Sequence, residues 1–402
     1  MAQAQVQVKR LPLAGYEAAA HAVKMADVDV IAAYPITPQT NIVEELATMV
    51  ANGELDAEYV HVESEHSAIS AVVGASLTGA RVFTATSSQG LALMHEILFI
   101  TATARAPVVM AVVNRALSGP INIWNDHSDA MAERDTGWIQ LWALNAQEVF
   151  DTILQAYRIA EDNSVLLPVM VNLDGYILGH TVEAVELPDE KLVKDFVPSR
   201  PLQNRLSLKT CYTVGVMGNP DYYYEMKYQA IDALERSADV IKKVGEEFGE
   251  VFGRRYKPLD LYYVEDAEAL LISMGSTAGT ALAAVKRMRK RGEKVGLVRI
   301  WMYRPFPVKE LRDVLKGVKA VGVVDRATCP GAIGGPVFAD IATLFSNDRE
   351  KPLLRDFIAG LGGRDIRIED FEYMLNKTLE AAKTGIVAVS YTHLTLPTTE
   401  RV

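Results

Sequence analysis

From Val28 to Asp174 the chain alternates short apolar runs with stretches of helical period, and that alternation admits few folds. The strand-like runs are Val28 to Tyr34, Tyr59 to Glu63, Arg81 to Thr86, Pro107 to Val113 and Val165 to Val171. Between the first two, Pro38 to Val50 carries Ile42, Val43, Leu46, Met49 and Val50 at the spacing of a helix that lies on a sheet. Ala68 to Leu77 predicts a second helix, made of small residues and ended by Gly79. Runs that are apolar on both faces belong in a parallel sheet covered by helices on both sides. The expected fold class is therefore α/β, with a doubly wound parallel sheet. Such sheets bind ligands beyond the carboxyl ends of their strands.

After about residue 190 the pattern breaks. Pro198, Pro201 and Pro220 punctuate it, and Tyr222 to Phe248 predicts one long charged helix, expected to pack across a partner. A smaller α/β unit follows. Its strands are Leu270 to Met274, Val295 to Ile300 and Ala320 to Asp325, with a basic helix through Lys290 and a glycine-rich loop from Gly331 to Pro336. The expected organisation is a domain over 1–190, an arm over 191–262 and a second domain over 263–388. The tail 389–402 has no apolar periodicity and is expected to be disordered or foreign to the natural chain.

The 402 residues are 49% hydrophobic with a formal charge of −10, as in a soluble enzyme of more than one domain. That charge disfavours nonspecific binding to nucleic acid. Apolar runs such as Val108 to Val113 are too short to span a bilayer. The first ten residues lack the apolar core of a signal peptide, and the expected location is cytoplasmic. The two cysteines, Cys211 and Cys329, are too few for the four thiolates an iron–sulfur cluster takes, and a disulfide between them is not expected in a reducing compartment. If the chemistry is redox, electrons leave through another subunit.

Three strand ends carry the candidate residues. Thr37 lies in Tyr34-Pro35-Ile36-Thr37-Pro38-Gln39-Thr40, with Pro38 well suited to open a helix. Its hydroxyl serves either as a plain N-cap or, with free backbone donors at a positive helix end, as a holder of a carboxylate or carbonyl oxygen. Glu65 follows Ser64, itself an N-cap candidate, and reads either as a first-turn acid or as a buried functional carboxylate with Glu63 as rival. Ala68, Ala71, Gly74 and Ala75 would let a flat ring come close to the backbone. Arg115, past the fourth strand, is either a surface ion-pair partner or a bidentate grip on a carboxylate. A hydroxyl, a carboxylate and an arginine at neighbouring strand ends suit a 2-oxo acid beside an organic cofactor. Asp126-His127-Ser128-Asp129 matches no strong metal spacing and is expected to form a loop hydrogen-bond network. No metal site is expected on this chain. The loop Gly331 to Pro336 lacks the full dinucleotide fingerprint.

Taken together, the motifs 34–40, Glu63-Ser64-Glu65-His66-Ser67-Ala68, Gly79-Ala80-Arg81, Thr84 to Leu91, Asn114-Arg115-Ala116-Leu117, Asn122 to Asp129, Arg134 to Trp138 and Asp174-Gly175 make the chain resemble the alpha subunits of multi-subunit pyruvate:ferredoxin oxidoreductases. The resemblance covers nearly everything to about residue 385. It implies oxidative decarboxylation of pyruvate with CoA to acetyl-CoA and CO₂ while ferredoxin is reduced. It further implies a thiamine diphosphate pyrimidine-binding domain joined to a transketolase C-terminal-like domain. By the same resemblance Glu65 contacts the pyrimidine ring, Thr37 and Arg115 contact substrate, and Pro35, Ile36, Ser88 and Gln89 lie against the cofactor. A beta subunit would hold the diphosphate and Mg²⁺, and [4Fe-4S] clusters would sit on ferredoxin-like gamma and delta subunits. Related substrates (2-oxoglutarate, 2-oxoisovalerate or oxalate), a non-catalytic scaffold of the same fold, and a nucleotide-binding protein using Gly331 to Pro336 are the alternatives.

Overall fold

A computed structural model describes residues 8–199, 205–209 and 213–387 of the chain. The expected tail 389–402 lies outside these residues, as does Cys211. Cys329 is a half-buried free thiol. No helix of the described residues is long and apolar enough to cross a membrane.

The larger sheet has seven strands, in the order Met302–Arg304, Ile139–Trp142, Val169–Asp174, Val108–Asn114, Val82–Thr86, Val30–Ala33 and Glu58–His61. All neighbours run parallel except Met302–Arg304, which lies antiparallel on Ile139–Trp142. Helices Gly15–Met25, Thr40–Ala51 and Ala146–Ala160 bury their apolar stripes on one face; Glu65–Leu77, Ser88–Leu93 and His95–Thr103 cover the other. The central strands are buried along their whole length, as their mostly apolar runs require. Val30–Ala33 pairs with its successor Glu58–His61 on one side and with Val82–Thr86 on the other, so the winding reverses beside it. In doubly wound sheets the loops diverge at such a point, and the ligand crevice lies there, at the carboxyl ends of the strands. At the opposite end of the same sheet, Arg81 forms a buried two-pronged pair with Glu161 at 2.6 and 2.7 Å and keeps the strand ends together.

The second sheet runs Leu353–Ile358, Ala320–Asp325, Ala269–Met274, Val295–Ile300 and Leu259–Tyr262, the last strand antiparallel and the others parallel. Two boundaries differ from the sequence expectation. Leu259–Tyr262, assigned to the arm, is an edge strand of the second sheet. Met302–Arg304, assigned to the second domain, completes the first sheet. A four-residue strand such as Leu-Asp-Leu-Tyr has too little pattern to be told from a linker; only its neighbour defines it.

The long helix, Tyr223–Phe252, also departs from expectation, because its C-terminal half packs on this chain. Ala233, Ile241, Val244 and Phe248 join the core formed with Ala146–Ala160, while Tyr222, Tyr224 and Tyr228 remain exposed. Helix Ala146–Ala160 is the anchor of this side. Its Asp151 takes Arg254 at 2.6 and 2.9 Å and the Tyr256 hydroxyl at 2.7 Å. One turn earlier, Glu148 takes Arg299, which is fully buried on a strand of the second sheet and also donates to Asp260 at 2.6 Å and to the Trp142 carbonyl at 2.8 Å. This cation joins the two sheets. Removing one member of a buried pair leaves the other charge uncompensated, which costs about 3–5 kcal/mol. Arg299→Ala is therefore expected to lower stability by about that amount, read as a fall in the urea midpoint of unfolding; an unchanged midpoint would refute the role.

Candidate functional site

The loop after Val30–Ala33 does not begin a helix where expected. Pro38 is not the first helical residue and Thr37 is not the N-cap: the helix starts at Thr40, and no side chain caps it. Residue 37 precedes a proline and is steered away from the helical region. The Ile36 carbonyl instead receives the Gln39 and Thr40 amides at 2.8 and 3.2 Å and closes a turn. Fully buried Gln39 locks that turn: its Oε1 accepts from the Ile36 amide at 3.1 Å, and its Nε2 donates to the Ala85 carbonyl at 2.9 Å on the neighbouring strand. Pro35 and Thr37 are left exposed and Ile36 half-buried at the rim of the crevice.

Glu65 opens its helix as predicted, behind Ser64, whose hydroxyl accepts from the Ser67 amide at 3.2 Å. Glu63 is exposed and accepts only from the Ser67 hydroxyl, so it is a surface residue of the same turn. Glu65 is 8% exposed, yet neither of its oxygens accepts a hydrogen bond from any described residue. Its oxygens are not among the fully enclosed atoms that lack a partner, so the carboxylate faces the opening, where a group from outside the chain can reach it. Its neighbour is Gly90: a Cβ there would lie 2.6 Å from Glu65 Oε1 and 2.5 Å from Thr86 Oγ1. The close-approach glycine is thus Gly90. The small residues 68–75 do not line the crevice, since Ala68 is core and Gly74 faces open space. Thr86 Oγ1 and Ser87 Oγ are buried without partners among the described residues.

Arg115 is 4% exposed, and among the described residues it has no carboxylate in ion-pair range, which removes the surface-pair reading. Its Nη1 donates to the Thr37 carbonyl at 2.9 Å and its Nε to the Asn122 carbonyl at 2.8 Å, leaving Nη2 unengaged among the described residues. Sequence reasoning set Thr37 and Arg115 in one site; the structure brings them into contact through the backbone of Thr37 rather than its hydroxyl. Burial pushes the guanidinium pKa below the usual arginine value, and it remains a cation at neutral pH. The exposed apolar loop beside it, with Ile121 77% and Trp124 54% exposed, borders the same opening.

The polar run 126–129 forms the expected hydrogen-bond network. Asp126 Oδ1 takes the Ser128 amide at 2.9 Å, and Ser128 Oγ accepts from the Leu117 amide at 2.9 Å. Asp129 Oδ2 accepts from the Ser88 amide at 3.0 Å and the Arg115 amide at 2.9 Å; Oδ1 accepts from Asn114 Nδ2 at 3.0 Å and the Ala130 amide at 2.7 Å. Ser88 needs this hold, since its φ of 48° is a left-handed conformation that costs a non-glycine residue about 1 kcal/mol. The Ser88 hydroxyl donates to the Ala116 carbonyl at 2.5 Å, and half-buried Gln89 accepts from Ser118 at 3.3 Å. Burial pushes the Asp129 carboxyl up to about 7 against these four donors.

His127, on the same loop, reaches the other sheet's territory. Its Nε2 donates to Asp174 Oδ1 at 2.7 Å, and Asp174 Oδ2 accepts from the Ser276 amide at 2.8 Å, the Ser276 hydroxyl and Arg326 Nη1 at 3.4 Å. Burial alone would raise the Asp174 pKa; the charge and hydrogen bond from His127, with Arg326 and Ser276, hold it well below the usual range. Sequence reasoning missed this joint, as it missed Gln39 and Gly90. Residues 127, 174, 276 and 326 have no local spacing that announces contact.

The glycine-rich loop offers no phosphate cradle. The Val337 and Phe338 amides at the helix start both donate to Asp325 at 2.9 Å, and the Gly335 amide donates to Asp356 at 2.9 Å. Gly335 is required by that packing, because a Cβ would sit 2.3 Å from Asp325 Oδ2. An anion here would meet two carboxylates and spoken-for donors. The nucleotide-binding alternative loses its site.

The family described as "Pyruvate flavodoxin/ferredoxin oxidoreductase, thiamine diP-bdg" matches residues 21–246, and "Pyruvate:ferredoxin oxidoreductase core domain II" matches residues 267–371. The chain is 50% identical to pyruvate synthase subunit PorA of Pyrococcus horikoshii over 372 residues, 92% of this chain and 94% of that one. It is 49% identical to the PorA subunit of Thermotoga maritima over 379 residues, 94% of this chain and 95% of that one. Ketoisovalerate oxidoreductase subunit VorA of Pyrococcus horikoshii is 45% identical over 375 residues, 93% of this chain and 94% of that one. Among solved structures, 2-oxoglutarate:ferredoxin oxidoreductase from Magnetococcus marinus shares the fold with a TM-score of 0.69 at 21% identity, over 94% of this chain and 66% of that one.

Asp325 generates a pH dependence. Burial, aided by Asp356 and Asp340, lifts its pKa to about 7, from roughly 4 when unfolded. Between those values the native state keeps a proton that the unfolded state has lost, so stability falls as pH rises across the window. Asp325→Asn is expected to flatten that fall, measured by urea denaturation at pH 5 and pH 7; an identical slope in both proteins would rule the assignment out.

Proposed function

The chain belongs to the pyruvate flavodoxin/ferredoxin oxidoreductase family, and from that premise we propose that it is the alpha subunit of a multi-subunit pyruvate:ferredoxin oxidoreductase, converting pyruvate and CoA to acetyl-CoA and CO₂ while ferredoxin is reduced. The observation that carries the site is Glu65: a buried carboxylate with no donor among the described residues, pressed against the bare Cα of Gly90 at the sheet's switch point. We propose a division into a pyrimidine-binding unit up to about residue 190, an arm that ends before Leu259, and a second α/β unit beyond it.

The residues present fit the aminopyrimidine half of thiamine diphosphate. Glu65 offers a carboxylate to a ring nitrogen, Gly90 leaves room beside it, and Thr86 Oγ1 and Ser87 Oγ are orphaned polar atoms at the same level. Ser88, Gln89, Pro35 and Ile36 lie on the two loops that border the crevice. When bound, the cofactor supplies the nucleophilic carbon that attacks a 2-oxo acid's carbonyl. Glu65 would hold the ring nitrogen through a shared proton, the acid–base role a carboxyl at that place can play. Arg115, its Nη2 unengaged and its Nε and Nη1 held by backbone carbonyls, is pre-aimed to take the substrate carboxylate. Thr37 stands at the rim as the second substrate contact. Holding the 2-oxo acid in line contributes the positioning part of the rate.

We assign the diphosphate and Mg²⁺ to a beta subunit, and the [4Fe-4S] clusters to gamma and delta subunits, because two cysteines are too few for a cluster here. The exposed Tyr34, Ile121 and Trp124 around the opening suit a partner that closes it. The VorA relative keeps a branched 2-oxo acid as the competing substrate.

Glu65→Gln is expected to abolish pyruvate-dependent ferredoxin reduction while the subunits still assemble; activity near wild type would refute the role. Arg115→Ala is expected to raise KM for pyruvate and to lower kcat/KM roughly 10- to 100-fold, the worth of a charged hydrogen-bond pair. Steady-state kinetics on pyruvate, 2-oxobutyrate and 2-oxoisovalerate read both the loss and the substrate preference, and unchanged pyruvate kinetics would remove Arg115 from the site.

A further inference from the structure

We propose that Asp129 is a positioning residue for the reaction: a single buried carboxylate that sets the substrate-holding arginine and the loop beside the proton-handling glutamate in one fixed relation. The inference rests on the thiamine-site reading above and goes beyond it, since Asp129 touches neither group's reacting atoms. It acts through two backbone amides that meet at one oxygen. The Arg115 amide and the Ser88 amide both donate to Oδ2, at 2.9 and 3.0 Å. Arg115 carries the guanidinium that grips the Thr37 carbonyl. Ser88 begins the turn that brings Gly90 against Glu65. Two loops from different strands, each bearing half of the site, are thus referenced to one atom.

Chemistry dictates an aspartate here. All four partners of Asp129 are N–H donors, from Ser88, Arg115, Asn114 and Ala130. An aspartate turns an oxygen towards each pair of donors, with no N–H on either side. An asparagine of the same shape would turn an NH₂ group towards two of those donors, so the amides of Ser88 and Arg115, or those of Asn114 and Ala130, would face a donor instead of an acceptor. The side chain is 1% exposed, and water cannot repair the mismatch. The left-handed Ser88, held at φ 48° by this bond and by its own hydroxyl, is the element most able to relax once the acceptor is gone.

The test uses the assembled oxidoreductase with Asp129→Asn, Arg115→Ala, the double variant and Glu65→Gln, assayed per mole of complex. Asp129→Asn is expected to raise KM for pyruvate about tenfold and to lower kcat by a similar factor, as misplacement of two loops by a fraction of an ångström would. Because the KM effect passes through Arg115, Asp129→Asn should raise KM no further in the Arg115→Ala background, while still lowering kcat. Loss of assembled complex alone would change neither constant per mole of assembled enzyme, and an inactive fraction would lower kcat without moving KM. Unchanged KM and kcat in Asp129→Asn, or an undiminished KM increase in the Arg115→Ala background, overturns the proposal. If Asp129→Asn does not assemble, Asn114→Ala, which removes one donor and keeps the carboxylate, is read in the same assay; a KM rise supports the proposal and wild-type constants overturn it. Wild-type turnover in both Glu65→Gln and Arg115→Ala would instead sink the site reading itself.

Discussion

A carboxylate withdrawn from water has to be met by donors, and in this molecule two of them, Asp129 and Asp174, determine how the rest is arranged. Both are fully enclosed near the carboxyl end of the larger sheet, and the loop from Asn125 to Asp129 bears on both: it carries Asp129 itself, and its His127 donates to Asp174. Asp129 collects amides from the loops after two strands. Asp174 collects His127 from that loop and Ser276 and Arg326 from the second sheet's unit. One short segment therefore ties the candidate site to the unit beside it, and its backbone is held as well, by the Arg326 carbonyl on the His127 amide at 2.8 Å.

The two sites of charge behave oppositely because their partners differ. Asp174 faces a histidine and a guanidinium and is kept ionised. Asp129 faces only neutral amides, so burial wins over hydrogen bonding and its carboxyl rises to about 7. Glu65 is a third case, enclosed but without donors among the described residues. Under the proposed function, that lack is what an aminopyrimidine would fill. Arg115 is its complement: a buried cation whose nearest carboxylate is not supplied by the described residues. The two residues together describe the ligand by what they lack.

The joint between the sheets explains why the chain resists division into two clean domains. Leu259–Tyr262 and Met302–Arg304 exchange allegiance relative to their place in the sequence, each adding an edge to the sheet across the boundary. Arg299, between those segments, pairs with Glu148 and Asp260 and receives no water. A continuous apolar cluster runs from Ala68 and Leu98 through Trp142 to Leu270 and Val337. The second unit thereby acts as a wall of the first, and its loop Leu361–Gly363 lies against Asn122 and Asp126 beside the crevice.

Sequence by itself determined the doubly wound class, the strands from Val82 to Asn114 and from Ala269 to Asp325, the Ser64 cap ahead of Glu65 and the three candidate residues at strand ends. Apolar runs, helical spacing and cap chemistry are local, and local signals survive in one dimension. Tertiary structure alone decided that Gln39, not Thr37, locks the first loop, that Gly90 rather than the small residues 68–75 makes room at Glu65, and that Asp325 and Asp356 occupy the glycine loop's donors. It also decided which carboxylates meet cations and which meet amides. Those outcomes turn on contacts between residues tens to hundreds of positions apart, where burial sets the energy of every polar group and no spacing along the chain records the encounter.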